Sequence, residues 1–99
     1  MEKFVEKLKK IVMIINEKLN PEKIILFGSR AKGNNSDGSD IDLCIIGARE
    51  PDKRDFRKLK EKLDEISGLY SIDLIFYEKV DDEFKKIILD TGKVIYEKK

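Results

Sequence analysis

From residue 28 to residue 39 the chain reads Gly-Ser-Arg-Ala-Lys-Gly-Asn-Asn-Ser-Asp-Gly-Ser, a stretch dominated by turn formers. It separates two apolar runs, Lys23 to Phe27 and Asp40 to Ile46. Each run has the length and the β-branched content of a strand. A connection of 12 residues is long for a chain of 99, and connections of that length are usually functional or mobile. Any fold must therefore place two strands around this loop and then cover their apolar faces.

The remaining elements follow from periodicity. Phe4, Leu8, Ile11, Val12, Ile15 and Leu19 recur at helical spacing, which predicts a helix over residues 2–19. Asn20-Pro21 ends it, because the residue before a proline is pushed out of helical geometry. Phe56, Leu59, Leu63 and Ile66 share one face of a second helix, residues 54–67, with Gly68 as its stop. Tyr70 to Tyr77 reads as a third strand. Asp81 and Asp82 open a short third helix, which Gly92 ends, and Lys93 to Tyr96 makes a last strand. The order helix, strand, loop, strand, helix, strand, helix, strand predicts one small α+β domain over residues 1–99, with a mixed sheet of about four strands and helices packed against it.

Composition excludes several classes. Lysine plus arginine is 21 and aspartate plus glutamate 20, a net charge of +1, so binding nucleic acid or a membrane surface by charge is not expected. With no histidine and only Cys44, a structural zinc site, a Ser-His-Asp triad and an internal disulfide are ruled out. The apolar runs reach about five residues, against the roughly 20 of a membrane span, and the amino terminus carries charge too early for a signal peptide. The expected location is the cytoplasm.

Three features carry chemistry together: Gly28-Ser29-Arg30 after the first strand, Asp40-Ile41-Asp42 at the head of the second, and Asp73 within Ser71-Ile72-Asp73-Leu74-Ile75. Residues i and i+2 of a strand point to the same face, so Asp40 and Asp42 project side by side while Ile41, Leu43 and Ile45 face a core. Asp73 lies in an otherwise apolar run, where a buried carboxylate is costly unless compensated. If the second and third strands are neighbours, all three carboxylates share one face. At about 5 Å each pair would repel by roughly 3 kcal/mol at an effective dielectric near 20. A cation relieves that repulsion, and carboxylates without histidine or thiolate suit Mg²⁺ or Mn²⁺. The small-residue turn at Gly28-Ser29 offers backbone N–H groups and a hydroxyl to phosphate, and Arg30 or Lys32 can add charge. A metal–nucleoside triphosphate is the ligand both halves would accept. The stretch is neither a P-loop, since Asn34-Asn35 stand where Lys and Ser or Thr are needed, nor an EF-hand, since Gly33 and Cys44 would occupy carboxylate positions.

Gly28-Ser29-Arg30-Ala31-Lys32-Gly33 followed by Ser39-Asp40-Ile41-Asp42-Leu43 resembles the signature of the minimal nucleotidyltransferases, of the DNA polymerase β-like superfamily. The resemblance covers nearly the whole chain and implies a single palm-like domain. It implies that Gly28, Ser29, Arg30 and Ser39 hold the nucleotide. It implies that Asp40, Asp42 and Asp73 hold two Mg²⁺ ions, with Asp73 also helping to activate the attacking hydroxyl. It further implies transfer of AMP from ATP, with release of pyrophosphate. The expected partner is a HEPN-family toxin, modified on a tyrosine, with this chain as the antitoxin in a homo- or hetero-oligomer. Two other readings stay open: an antitoxin that acts by occlusion without catalysis, and a transferase acting on a small molecule. Lys32 departs from the arginine that many relatives carry.

Overall fold

The computed structural model describes residues 2–28, 41–68 and 70–98, with side chains from Val5 onward. The elements are α1 (Glu2–Leu19), β1 (Lys23–Phe27), β2 (Ile41–Ile46), α2 (Lys53–Ser67), β3 (Ile72–Phe76), a 3₁₀ turn (Tyr77–Lys79), α3 (Asp82–Thr91) and β4 (Lys93–Glu97). The expected order is observed. β3 is shorter than the run Tyr70 to Tyr77 at both ends: the Tyr70 carbonyl is held by the Ser67 hydroxyl of α2, so Tyr70 and Ser71 precede the strand, and Tyr77 leaves extended geometry for the 3₁₀ turn.

The four strands form one sheet in the order β3-β2-β1-β4. β1 runs antiparallel to both β2 and β4, whereas β2 and β3 are parallel. A parallel pair needs a crossover of a dozen or more residues, and α2 supplies it. Local chemistry sets the limits of that helix. Asp52 accepts a hydrogen bond from the Asp55 N–H at 2.8 Å, and the Gly68 N–H donates back to the Asp64 carbonyl. Asp81 caps α3 in the same way through the Phe84 N–H, at 2.8 Å.

Strand alternation gives the sheet two unequal faces. Ile24, Leu26, Ile41, Leu43, Ile45, Ile72 and Phe76 point to one side, where they meet Ile11 and Ile15 of α1 and Leu59 and Leu63 of α2. This is the main core. On the other side Ile25, Phe27 and Cys44 meet Ile88 of α3, with Phe84 and Ile75 packed around them. One ten-residue helix covers that side, against two longer ones opposite. Among the described residues, no helix is long and apolar enough to cross a membrane.

Leu63 has no exposed surface and joins α2 to the sheet. Replacing it by alanine removes three buried carbons and leaves a cavity. The Leu63→Ala variant is expected to lose about 2–5 kcal/mol of unfolding free energy in urea titrations followed by circular dichroism. A loss below about 1 kcal/mol would mean that α2 is not part of the cooperative core.

Candidate active site

The site grows from the ladder of three strands. Phe27 of β1 lies opposite Asp42 of β2, and Asp42 lies opposite Asp73 of β3. Paired residues share a face, and neighbouring strands are about 4.8 Å apart, so the two carboxylates leave the sheet side by side. They emerge on the face that α3 covers, at the same end of the sheet as the close of β1.

The two carboxylates differ in surroundings: Asp42 is half-buried, and Asp73 is exposed. The expectation that Asp73 is a buried charge is therefore corrected. Its neighbours Ile72 and Leu74 turn to the opposite face, beneath α1 and α2, while Asp73 turns to the face that α3 covers only partly. Burial cost gives no reason for a cation here. The reason that stands is the in-register pairing of two like charges, which a cation between them would relieve.

Gly28 closes the site from the β1 side. Its φ is +81°, in the left-handed region that favours glycine. A Cβ built on it would collide with the Asp42 carboxylate. Gly28 therefore lets the chain turn off β1 directly beside Asp42. Ser29, Arg30, Lys32, Ser39 and Asp40 lie outside the described residues. The structure thus brings together Gly28, Asp42 and Asp73 of the expected set. Among the described residues no group of three or more histidine, cysteine, aspartate or glutamate side chains is placed to hold a metal ion.

Two further residues shape the site without having been singled out from sequence. Phe27, the register partner of Asp42, packs edge-to-face on Phe84 of α3, with ring centroids 5.8 Å apart and planes at 82°. The pair makes an apolar wall beside the half-buried carboxylate. Nothing in the sequence pattern of α3 announces the contact of Phe84 with Phe27. Cys44 follows Asp42 on the same face and is fully buried. Burial pushes its thiol up to about 11, and the charge of Glu78 adds to the effect. It stays protonated near neutrality, so neither thiolate ligation nor nucleophilic attack is available to it. That leaves oxygen donors. One groove between α1 and α2 and another between α1 and Ile95 include neither Asp42 nor Asp73.

Residues 9–99 match the family described as polymerase beta nucleotidyltransferase. The chain belongs to this family of nucleotidyltransferases. It is 35% identical over 89 residues to the Haemophilus influenzae protein named "Probable protein adenylyltransferase MntA", covering 89% of this chain and 78% of that one. Its fold is similar to a chain in a crystal structure of a toxin-antitoxin with AMP-PNP, with a TM-score of 0.76 and 24% identity over 92% of this chain and 73% of that chain. It is similar also to a chain in the structure described as tri-AMPylated Shewanella oneidensis HEPN toxin in complex with MNT antitoxin. There the TM-score is 0.71 at 20% identity, over 97% of this chain and 73% of that chain.

Two measurements check this geometry. Gly28→Ala forces a Cβ into the Asp42 carboxylate at a positive φ. It is expected to cost at least about 1 kcal/mol of stability and most of the nucleotidyl transfer; a variant as stable and active as the parent would contradict the close approach. Cys44 should resist an aromatic disulfide reagent at pH 8 until the protein is unfolded. Because its folded pKa lies above the unfolded one, its contribution to stability is complete below about pH 9 and declines as pH rises towards about 11.

Proposed function

We propose that this chain is a Mg²⁺-dependent adenylyltransferase that moves AMP from ATP to a hydroxyl of a partner protein, a tyrosine of a HEPN toxin, and thereby acts as its antitoxin in the cytoplasm. The observation that carries the reading is the in-register pairing of Asp42 with Asp73 beside the Gly28 turn. Family membership supports nucleotidyl transfer. The name of the Haemophilus relative and the toxin-antitoxin structures of similar fold support the protein acceptor.

The residues fit the metal. The chain has no histidine, its one cysteine is a buried thiol, and the paired side chains are carboxylates. Such a set suits a hard cation such as Mg²⁺. Asp42 and Asp73, with Asp40, would hold the two ions expected from the resemblance. When bound, Mg²⁺ supplies positive charge that favours both the attacking oxygen and the departing pyrophosphate.

The chain itself binds and orients. Gly28 allows the triphosphate to approach the backbone, and Ser29, Arg30 and Ser39 supply donors to its oxygens. Phe27 and Phe84 keep water from one side of Asp42. The tyrosine oxygen attacks the α-phosphorus and forms a new P–O bond. The bond between the α-phosphorus and the bridging oxygen breaks, and pyrophosphate leaves with that electron pair. Asp73, exposed beside Asp42, can accept the phenolic proton. An exposed base also suits an acceptor that arrives on a second protein.

Co-expression with the partner followed by mass spectrometry tests the reading. AMP on a partner tyrosine is expected with the parent chain. The Asp42→Asn variant is expected to lower transfer by at least about a hundredfold while keeping its circular dichroism spectrum. An unmodified partner held in a tight complex would instead favour neutralisation by occlusion. Equal transfer by parent and variant would overturn the assignment of Asp42.

A further inference from the structure

Among the described residues strand β3 lies at the rim of the sheet, with β2 as its strand neighbour. The Ile41 N–H donates to the Ser71 carbonyl at 2.7 Å. Along such a ladder successive carbonyls alternate sides, so the next one, Ile72, turns outward to the rim. There the ammonium of Lys60, a half-buried side chain of α2, donates to it. That carbonyl belongs to the peptide unit whose nitrogen is Asp73. A lysine at this position could reach Asp64 one turn along its own helix. The fold sends it instead to the backbone immediately before the exposed carboxylate.

The segment between Lys60 and Asp73 is also held at its middle. Ser67 is fully buried, and its hydroxyl lies 2.6 Å from the Tyr70 carbonyl and 3.1 Å from that of Asp64. Its single proton goes to the nearer one. Lys7 of α1 donates to the Ser67 carbonyl at 3.1 Å and stands over the Tyr70 ring, 5.4 Å from its centroid. The connection from α2 is thus tied to α1 and α2 up to Tyr70, and Lys60 holds the last peptide before Asp73. Core packing through Ile72 fixes the strand in the direction of α1 and α2. Lys60 restrains it along the rim, on the side away from β2.

We propose that Lys60 is a positioning residue for nucleotidyl transfer: by holding the Ile72–Asp73 peptide from the rim of the sheet, it sets the Asp73 carboxylate against Asp42. The inference rests on the reading of Asp73 as a metal-holding carboxylate. Lys60 acts through the backbone and not on the nucleotide or the metal. Its effect passes through the backbone of one residue, and groups that orient a metal's carboxylates commonly change metal affinity or rate by about 10–100-fold.

The test compares the parent with Lys60→Met, which keeps the stem and removes the donor, Lys60→Arg, which keeps a donor, and Asp73→Asn. Three properties are followed besides thermal melting. They are Mn²⁺ affinity with AMP-PNP present, by electron paramagnetic resonance of free Mn²⁺; deuterium exchange of the β3 amides; and steady-state transfer. Lys60→Met is expected to weaken Mn²⁺ binding and lower kcat by about tenfold or more, with KM for ATP within about threefold, and to speed exchange at the start of β3. Lys60→Arg should recover most of the loss. If Lys60→Met matches the parent in Mn²⁺ affinity and kcat while Asp73→Asn fails in both, Lys60 has no positioning role and the site assignment survives. The proposal falls equally if Lys60→Met only lowers the melting temperature, with Mn²⁺ affinity intact. If Asp73→Asn itself binds Mn²⁺ and transfers AMP like the parent, the underlying reading of Asp73 fails, and this inference with it.

Discussion

The parallel, in-register pairing of β2 with β3 is the interaction on which the remaining architecture depends. It joins strands separated by the 25 residues between Ile46 and Ile72. No hairpin can make such a pair. The chain must leave β2, cross one face of the sheet as α2 and return in the same direction. That crossover puts Leu59 and Leu63 over the sheet and leaves α1 to fill the space beside them. It also aligns Asp42 with Asp73. A shift of one residue would turn Asp73 into the core and Ile72 out of it, so the register that buries the core also pairs the carboxylates.

The unequal covering of the two faces explains why the site is where it is. Helices α1 and α2 close one side with a continuous aliphatic core. On the other side α3 is anchored by Ile88 and Phe84 over Ile25, Phe27 and Cys44. Phe27 is the α3 contact paired with Asp42, which stands beside it half-buried. Asp73, one strand further out, is exposed. The pair therefore spans the edge between a dry interior and solvent. Such an edge suits a reaction in which a charged nucleotide is held by the protein and the acceptor comes from outside. Cys44 lies one step inside the boundary, which is why burial keeps it a thiol and out of the chemistry.

Much of this was legible in the chain. Helical spacing in α1 and α2, the Asn20-Pro21 stop, the Gly68 and Gly92 stops and the apolar runs of β1 and β2 each have a local cause, and the elements form where those causes place them. The Asp-x-Asp pattern and the Gly-Ser turn were legible as a nucleotidyltransferase signature for the same reason: their meaning lies in spacing along one strand and one turn. Asp73 was legible as a partner, since an aspartate in an apolar strand stands out. Its exposure was not. An apolar run does not reveal which of its faces a helix covers, and β3 has one face under α1 and α2 and the other partly open. The Phe27–Phe84 contact and the reach of Lys60 to Ile72 were illegible for a similar reason, as each joins elements that only packing brings together.

What the sequence determined by itself was the set of parts: three helices, four strands, a turn-rich loop and carboxylates of a type that takes hard cations. These follow from short-range physics, namely side-chain periodicity, caps, proline and glycine, and the acid–base character of the residues present. The tertiary structure alone decided the strand order, the parallel register that puts Asp42 beside Asp73, and the solvent exposure of the latter. These depend on which apolar faces find one another, and burying the β2–β3 pair under α2 is the event that sets them. The charges themselves favour separation, so their adjacency is imposed by the burial of Ile41, Leu43 and Ile72 on the opposite side of the same strands.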